Sequence, residues 1–330
     1  MEKQEEQAVH WSEQKEQAAG YWHLKFLLFL FRIFPLIILR ILAFPVGLFY
    51  FLFSKRSREE SRRFLLKAAP FIKNSELAKS CGSPLGPLKQ IVSFSLALVE
   101  KLQCWSGKLY FEKMHYQDDD DSGEFLEGLE NGEGAFLITS HLGNIELMRG
   151  LVHFNRTGVS RELPITAIVD LKVTENFNRM LKELNPTSVL NIISTNDIGP
   201  HTSILLEEKL ASGGMVTIAG DRTSAASLEK NLMIPFLGDD AQFSPGPFYM
   251  AALLKAPVYF VFALRRRTLS INPEYDIHVH KSNLSFDCSR KERFNLSSKL
   301  VSSFAELLER YCLENPFQWY NFYDFWSKGG

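Results

Sequence analysis

The chain has 330 residues, a net charge of −1, 45% hydrophobic residues and 27 phenylalanines. That length allows one large domain or two small ones, and the even charge balance offers nothing to nucleic acid. Cys81, Cys104, Cys288 and Cys312 lack C-x-x-C or metal-ligand spacing and read as free thiols in a reducing compartment. With no G-x-S-x-G, G-x-x-x-x-G-K-[ST] or G-x-G-x-x-G run, elbow-type hydrolases, nucleoside-triphosphate enzymes and dinucleotide enzymes drop out.

Met1–Gly20 is polar, rich in Glu and Gln, and without the basic start of a cleaved signal; we set an N-terminal extension at 1–23. Leu24–Phe53 is apolar enough to cross a bilayer, yet Lys25, Arg32 and Arg40 interrupt it and Pro35 and Pro45 bend it. The three cations are seven and eight residues apart and so share a helical face, as in a segment lying in the membrane interface. A single spanning helix around Ile37–Phe53 is a second reading, and a buried core helix pair a third. With the spanning helix, Lys55, Arg56, Arg58, Arg62 and Arg63 would hold the next domain on the cytoplasmic side. The membrane-associating segment is placed at 24–63 and a catalytic domain at 64–330.

Helical spacing recurs over Ser61–Lys79 and Leu88–Trp105, with Ser83-Pro84 and Gly86-Pro87 as the loop between them. Lys108–Tyr116 reads as a strand, Asp118–Asp121 as a solvated loop, and Phe125–Leu129 as a short helix. Strand Ala135–Thr139 comes next, then a turn and a helix carrying Ile145, Leu147, Met148 and Leu151. Strand and helix alternate thereafter: strand Pro164–Val169, helix Glu175–Leu184, strand Val189–Ile193, helix Ser203–Ser212 and strand Met215–Ala219. Strand Leu232–Pro235, helix Pro247–Lys255, strand Val258–Leu264, edge strand Tyr275–Lys281 and helix Phe294–Leu313 complete the series. This is the pattern of an α/β fold with a mostly parallel central sheet flanked by helices.

Chemistry concentrates at Ser140-His141, just past the strand Ala135–Thr139, with Glu146 five residues after the histidine. On a regular helix five residues turn about 500°, so the two side chains would diverge by about 140°. They meet only if His141 lies in the turn and Glu146 one turn into the helix. A carboxylate on one imidazole nitrogen frees the other to accept a proton; the plain alternative is a histidine and glutamate at a helix start. Gly220-Asp221-Arg222 also ends an apolar strand: Arg222 would hold a phosphate or carboxylate and Asp221 would orient it, or the two would close a surface turn. Phe243-Ser244-Pro245-Gly246 opens a helix whose first amides suit an anion or carbonyl oxygen, and also fits an ordinary turn. His278 and His280 share a strand face without a third ligand, so no metal is expected. The tail Pro316–Trp326 is dense in aromatics, for lipid contact or for packing.

Thr139–Glu146, TSHLGNIE, resembles the H-x-x-x-x-[DE] motif of the lysophospholipid acyltransferase superfamily. Its HLGN-x-E form looks most like the branch holding the bacterial lipid A late acyltransferases. The likeness spans roughly Trp22–Trp326, with Ala256-Pro257-Val258 similar to the fourth block and the tail similar to the closing P-x-Q-W pattern.

The resemblance implies a glycerolipid-acyltransferase-like fold in the bacterial inner membrane, its catalytic domain facing the cytoplasm. It implies an acyl carrier protein or coenzyme A thioester as donor, a lipid hydroxyl or amine as acceptor, and no cofactor. It makes His141 and Glu146 catalytic, and Gly143, Asn144, Asp221, Arg222, Phe243 and Gly246 substrate-binding. The stretch around Gly246 departs from the E-G-T-R form of glycerol-phosphate acyltransferases, so that acceptor is not assumed. A lipid-binding scaffold without turnover and a lipid esterase are the competing functions.

Overall fold

A computed structural model describes residues 21–106, 111–118, 120–144, 146–153, 158–170, 179, 192–222 and 231–326. Residues 1–20 of the expected N-terminal extension, helix Glu175–Leu184 apart from Arg179, and residues 189–191 of strand Val189–Ile193 lie outside these residues, while 21–23 of the extension are helical. Seven strands form the central sheet, in the order β1-β9-β8-β2-β5-β3-β4. They are β1 (Met114–Tyr116), β2 (Ala135–Thr139), β3 (Ile165–Val169), β4 (Ile192–Ser194), β5 (Met215–Ala219), β8 (Val258–Arg265) and β9 (Tyr275–Lys281). Only β8 and β9 pair antiparallel.

The inner strands β2, β3, β5 and β8 are buried on both faces, and period 2 sorts their side chains. Phe136 and Ile138 of β2, with Val216 and Ile218 of β5, face one way. They meet α8 (Pro200–Ala211), α9 (Gly246–Leu254) and α10 (Arg290–Glu314). Ala135 and Leu137 face the other way, toward α6 (Ser122–Glu130) and α7 (Glu146–His153). Phenylalanines fill the first of these layers: Phe136, Phe248, Phe260, Phe262 and Phe304 are all but fully buried, each stabilising the fold by about 1.5–3 kcal/mol.

Two departures from expectation have local causes. Residues 239–243 form β7 (Asp239–Phe243), which pairs antiparallel with β6 (Leu232–Phe236) in a separate hairpin. Its turn is Leu237-Gly238, both at positive φ, the backbone a two-residue hairpin turn demands. The acidic run is not simply solvated. Beyond the three residues of β1, Asp120 Oδ2 accepts the Val279 N–H at 2.9 Å and Asp121 Oδ2 the Lys281 N–H at 2.6 Å. The carboxylates thus satisfy the β9 edge where strand β1 has ended.

At the N-terminus α1 (Tyr21–Ile33), α2 (Leu36–Phe53) and α3 (Lys55–Ala68) precede α4 (Ser75–Gly82) and α5 (Gly86–Trp105). Among the described residues α2 is the one helix long and apolar enough to cross a membrane. It rests on α5 through Leu39, Ala43 and Gly47, four residues apart and so on one face. A Cβ at Gly47 would press on Val92 at 2.7 Å, so glycine sets how closely the helices approach. Ile37, Ile41, Val46, Phe49, Leu52 and Phe53 are exposed on the remaining surface.

Lys25 and Arg32 stay exposed, but Arg40 leaves the expected cationic face. It is buried, donating to Gln103 Oε1 at 2.5 Å and to the Ile271 carbonyl at 3.0 Å. Sequence spacing set its angle on α2; the neighbouring α5 set its depth. Arg58 donates to the Phe51 and Leu52 carbonyls at the end of α2, where a cation suits the helix dipole.

Candidate active site at two adjacent strand ends

β2 and β5 are parallel neighbours in register, ending with Thr139 opposite Ala219. The Gly220 N–H extends the ladder to the Thr139 carbonyl at 2.8 Å. His141 and Asp221 therefore stand side by side, each two residues past its strand, at the carboxyl edge where α/β sheets place their ligands. Asp221 Oδ1 meets His141 Nδ1 at 2.8 Å, and Oδ2 accepts the His141 main-chain N–H at 2.8 Å.

Trp319 Nε1–H donates to the same Oδ2 at 3.1 Å. Asp221 is fully enclosed, while 34% of the His141 side chain remains exposed. Among the described residues the imidazole bonds to Asp221 alone, leaving Nε2 open on the exposed side.

Burial alone would raise the Asp221 pKa; the His141 and Arg222 charges and the His141 hydrogen bonds outweigh it and bring the carboxyl down to about 2. His141 is lowered from its ordinary value, by burial first and then by the charge of Arg222, against the pull of Asp221. The resulting group is a neutral imidazole on an ionised carboxylate, the form that accepts a proton.

The orienting bond expected from Glu146 comes instead from Asp221. Past His141, Leu142 bridges Trp319 and Gly143 bridges Ala263. Among the described residues the imidazole makes its hydrogen bond with Asp221, and none joins it to Glu146. Glu146 is buried in the first turn of α7, where its charge reaches Cys104 of α5.

Gly143 has φ +76° and lies against the Ala263 carbonyl, where any Cβ would collide. Its N–H goes to the Gln318 carbonyl and that of Asn144 to the Ala263 carbonyl, each at 2.9 Å. Neither amide is left for a substrate oxygen. Asn144 caps α7, its Oδ1 accepting the Glu146 N–H at 3.2 Å, while its buried Nδ2 has no partner among the described residues.

Arg222 donates to Asn321 Oδ1 and lies over the Tyr323 ring at 4.8 Å, and its charge reaches His141. Ser140 is buried, its Oγ accepting the Leu142 N–H at 3.2 Å, a turn role rather than a nucleophile's.

Phe243 belongs to the core, edge-on to Phe236 and Phe325. Gly246 opens α9, with its N–H toward Ser244 Oγ at 3.4 Å. No hydrogen bond or ring contact among the described residues joins either to His141. Their glycine- and proline-rich spacing serves the hairpin and the helix start. His280 Nε2 pairs with the Tyr311 hydroxyl at 2.7 Å, and His278 packs on the same ring; no metal-holding group of side chains occurs among the described residues.

The residues that sequence reasoning missed are in the tail, where Phe317, Trp319, Tyr320 and Phe325 pack inward. Their signal was the aromatic density itself, which did not say which ring would meet Asp221. No protein-family model matches the chain, and no curated protein does.

Proposed function

We propose that this protein is a membrane-associated acyltransferase that moves a fatty acyl group from a thioester, on acyl carrier protein or coenzyme A, to a hydroxyl or amine of a lipid. The observation that carries the reading is the Asp221–His141 pair, with Nδ1 occupied and Nε2 open at the carboxyl edge of the sheet. The motif resemblance around His141 supplies the reaction class and extends the reading to a glycerolipid-acyltransferase-like fold.

In this mechanism the acceptor O–H loses its proton to His141 Nε2 as its oxygen attacks the thioester carbonyl. Asp221 fixes the tautomer and stabilises the imidazolium that forms. Arg222 is the cation whose charge acts most strongly on the imidazole, and it steadies the oxyanion in place of the occupied amides of Gly143 and Asn144. When the C–S bond breaks, the Nε2 proton passes to the departing thiolate. No acyl-enzyme is needed.

The exposed apolar surface of α2 supports the lipid side of the proposal. So do the exposed cations of α3, Lys55, Arg56, Arg62 and Arg63. With the positive-inside preference they favour a domain on the cytoplasmic side of the inner membrane.

The test is a mass-spectrometric comparison of lipids from cells producing the wild type or His141→Ala. A lipid heavier by one acyl group with the wild type alone is the expected result and names the acceptor. Near-normal acylation by His141→Ala would overturn the mechanism. Free fatty acid without acylated product would indicate an esterase, and lipid binding without turnover a scaffold.

A further inference from the structure

The indole of Trp319 is fully buried and wedged among Phe64, Phe236 and Phe325, with centroids 4.7, 5.5 and 5.1 Å away. Packing accounts for a large apolar ring there. It does not account for the indole N–H, which a phenyl ring would lack and which donates to Asp221 Oδ2 at 3.1 Å. That oxygen already accepts the His141 main-chain N–H, and Oδ1 faces the imidazole.

Three donors thus fix the plane of one enclosed carboxylate. The residues flanking Trp319 grip the other half of the pair. The Tyr320 N–H donates to the His141 carbonyl at 3.0 Å, and the Gln318 carbonyl accepts the Gly143 N–H at 2.9 Å.

We infer that Trp319 is a positioning residue of the pair, its indole N–H holding the Asp221 carboxylate so that Oδ1 is presented to His141 Nδ1 and Nε2 is left bare. The tail is therefore part of the working site and not merely a cover for the core. The inference rests on the proposed transferase only for its kinetic readout.

The test replaces Trp319 in the full chain with benzothienylalanine, in which sulfur stands where the N–H was and the ring shape is kept. The first readout is the ¹⁵N shifts of the His141 imidazole across pH, which report tautomer and titration without substrate. We expect one Nδ1–H tautomer in the wild type, and a mixture with a displaced titration in the analogue. Phe325→Leu, which loosens the packing around Trp319 but leaves its N–H, should keep the wild-type tautomer.

Unchanged shifts in the analogue overturn the inference, as do equal changes in Phe325→Leu. The second readout is kcat against KM for acyl transfer: kcat is expected to fall about tenfold or more with KM held. If the wild type transfers nothing, the function fails and the imidazole readout still decides the role of Trp319.

Discussion

Asp221 holds His141 at two points, with Oδ1 at the ring Nδ1 and Oδ2 at the main-chain N–H, each at 2.8 Å. The double grip makes Asp221, rather than Glu146, the residue on which the imidazole depends. Asp221→Asn keeps the shape but no longer sets the tautomer, and should lower turnover by about 10²–10⁴-fold. Glu146→Gln should cost less. Steady-state rates of the two purified variants decide the order, and a larger loss in Glu146→Gln would return the orienting role to the glutamate.

The pH dependence has a definite sign. His141 is held below its ordinary value of 6.5, so it stays neutral into mildly acidic solution and the acid limb of kcat/KM should lie below pH 6.5. Arg222→Gln removes a cation that disfavours the imidazolium, so the limb should move to higher pH. Folding responds in the same direction. The unfolded chain takes up the histidine proton first, so stability falls as pH drops below about 6.5. The Asp221 contribution is complete above its ordinary 3.8 and is lost as pH falls toward about 2. A pH series of kcat/KM and of denaturant midpoints checks both.

Arg265 and Glu100 form a buried ion pair, Nη2 to Oε1 at 2.8 Å, with both side chains almost wholly enclosed. Glu100→Gln would strand the guanidinium charge and should cost about 3–5 kcal/mol. Replacing both, Glu100→Leu with Arg265→Met, should cost much less, because no lone charge remains. Chemical denaturation measures each. A loss under about 1 kcal/mol in the single variant would mean that water or another group compensates the arginine.

Because α2 is laid along α5 and not projected from the domain, its exposed side should enter the headgroup region without crossing. Wild type should float with anionic vesicles and be released by alkaline carbonate. Ile41→Asp with Phe49→Asp should weaken vesicle binding by about tenfold or more, from the lost apolar burial. Resistance to carbonate extraction would favour the spanning helix.

Much of the layout was legible in local pattern. The strands at 135–139, 215–219 and 275–281 are bounded as their apolar runs and alternation predict. Both Asp221 and His141 were recognised at strand ends. What local pattern does not carry is strand order: the chain visits β3 and β4 before inserting β5 beside β2. A pairing across 80 residues depends on that insertion. Strand β7 was missed because DDAQF is too polar and short to alternate clearly, and because leucine is an unusual residue at positive φ. The burial of Arg40 and the engagement of Trp319 likewise need partners 63 and 98 residues away.

The long reach from Asp221 to Trp319 bears on how the protein is made. A ribosome releases His141 long before Asp221, and Asp221 long before the segment 318–321 that secures both. If α1 and α2 are the proposed membrane contact, they emerge ahead of the site and meet lipid while the imidazole still lacks its companions. Under the proposed function, a nascent chain, or one cut short before residue 318, would reach a bilayer with its chemistry unarmed.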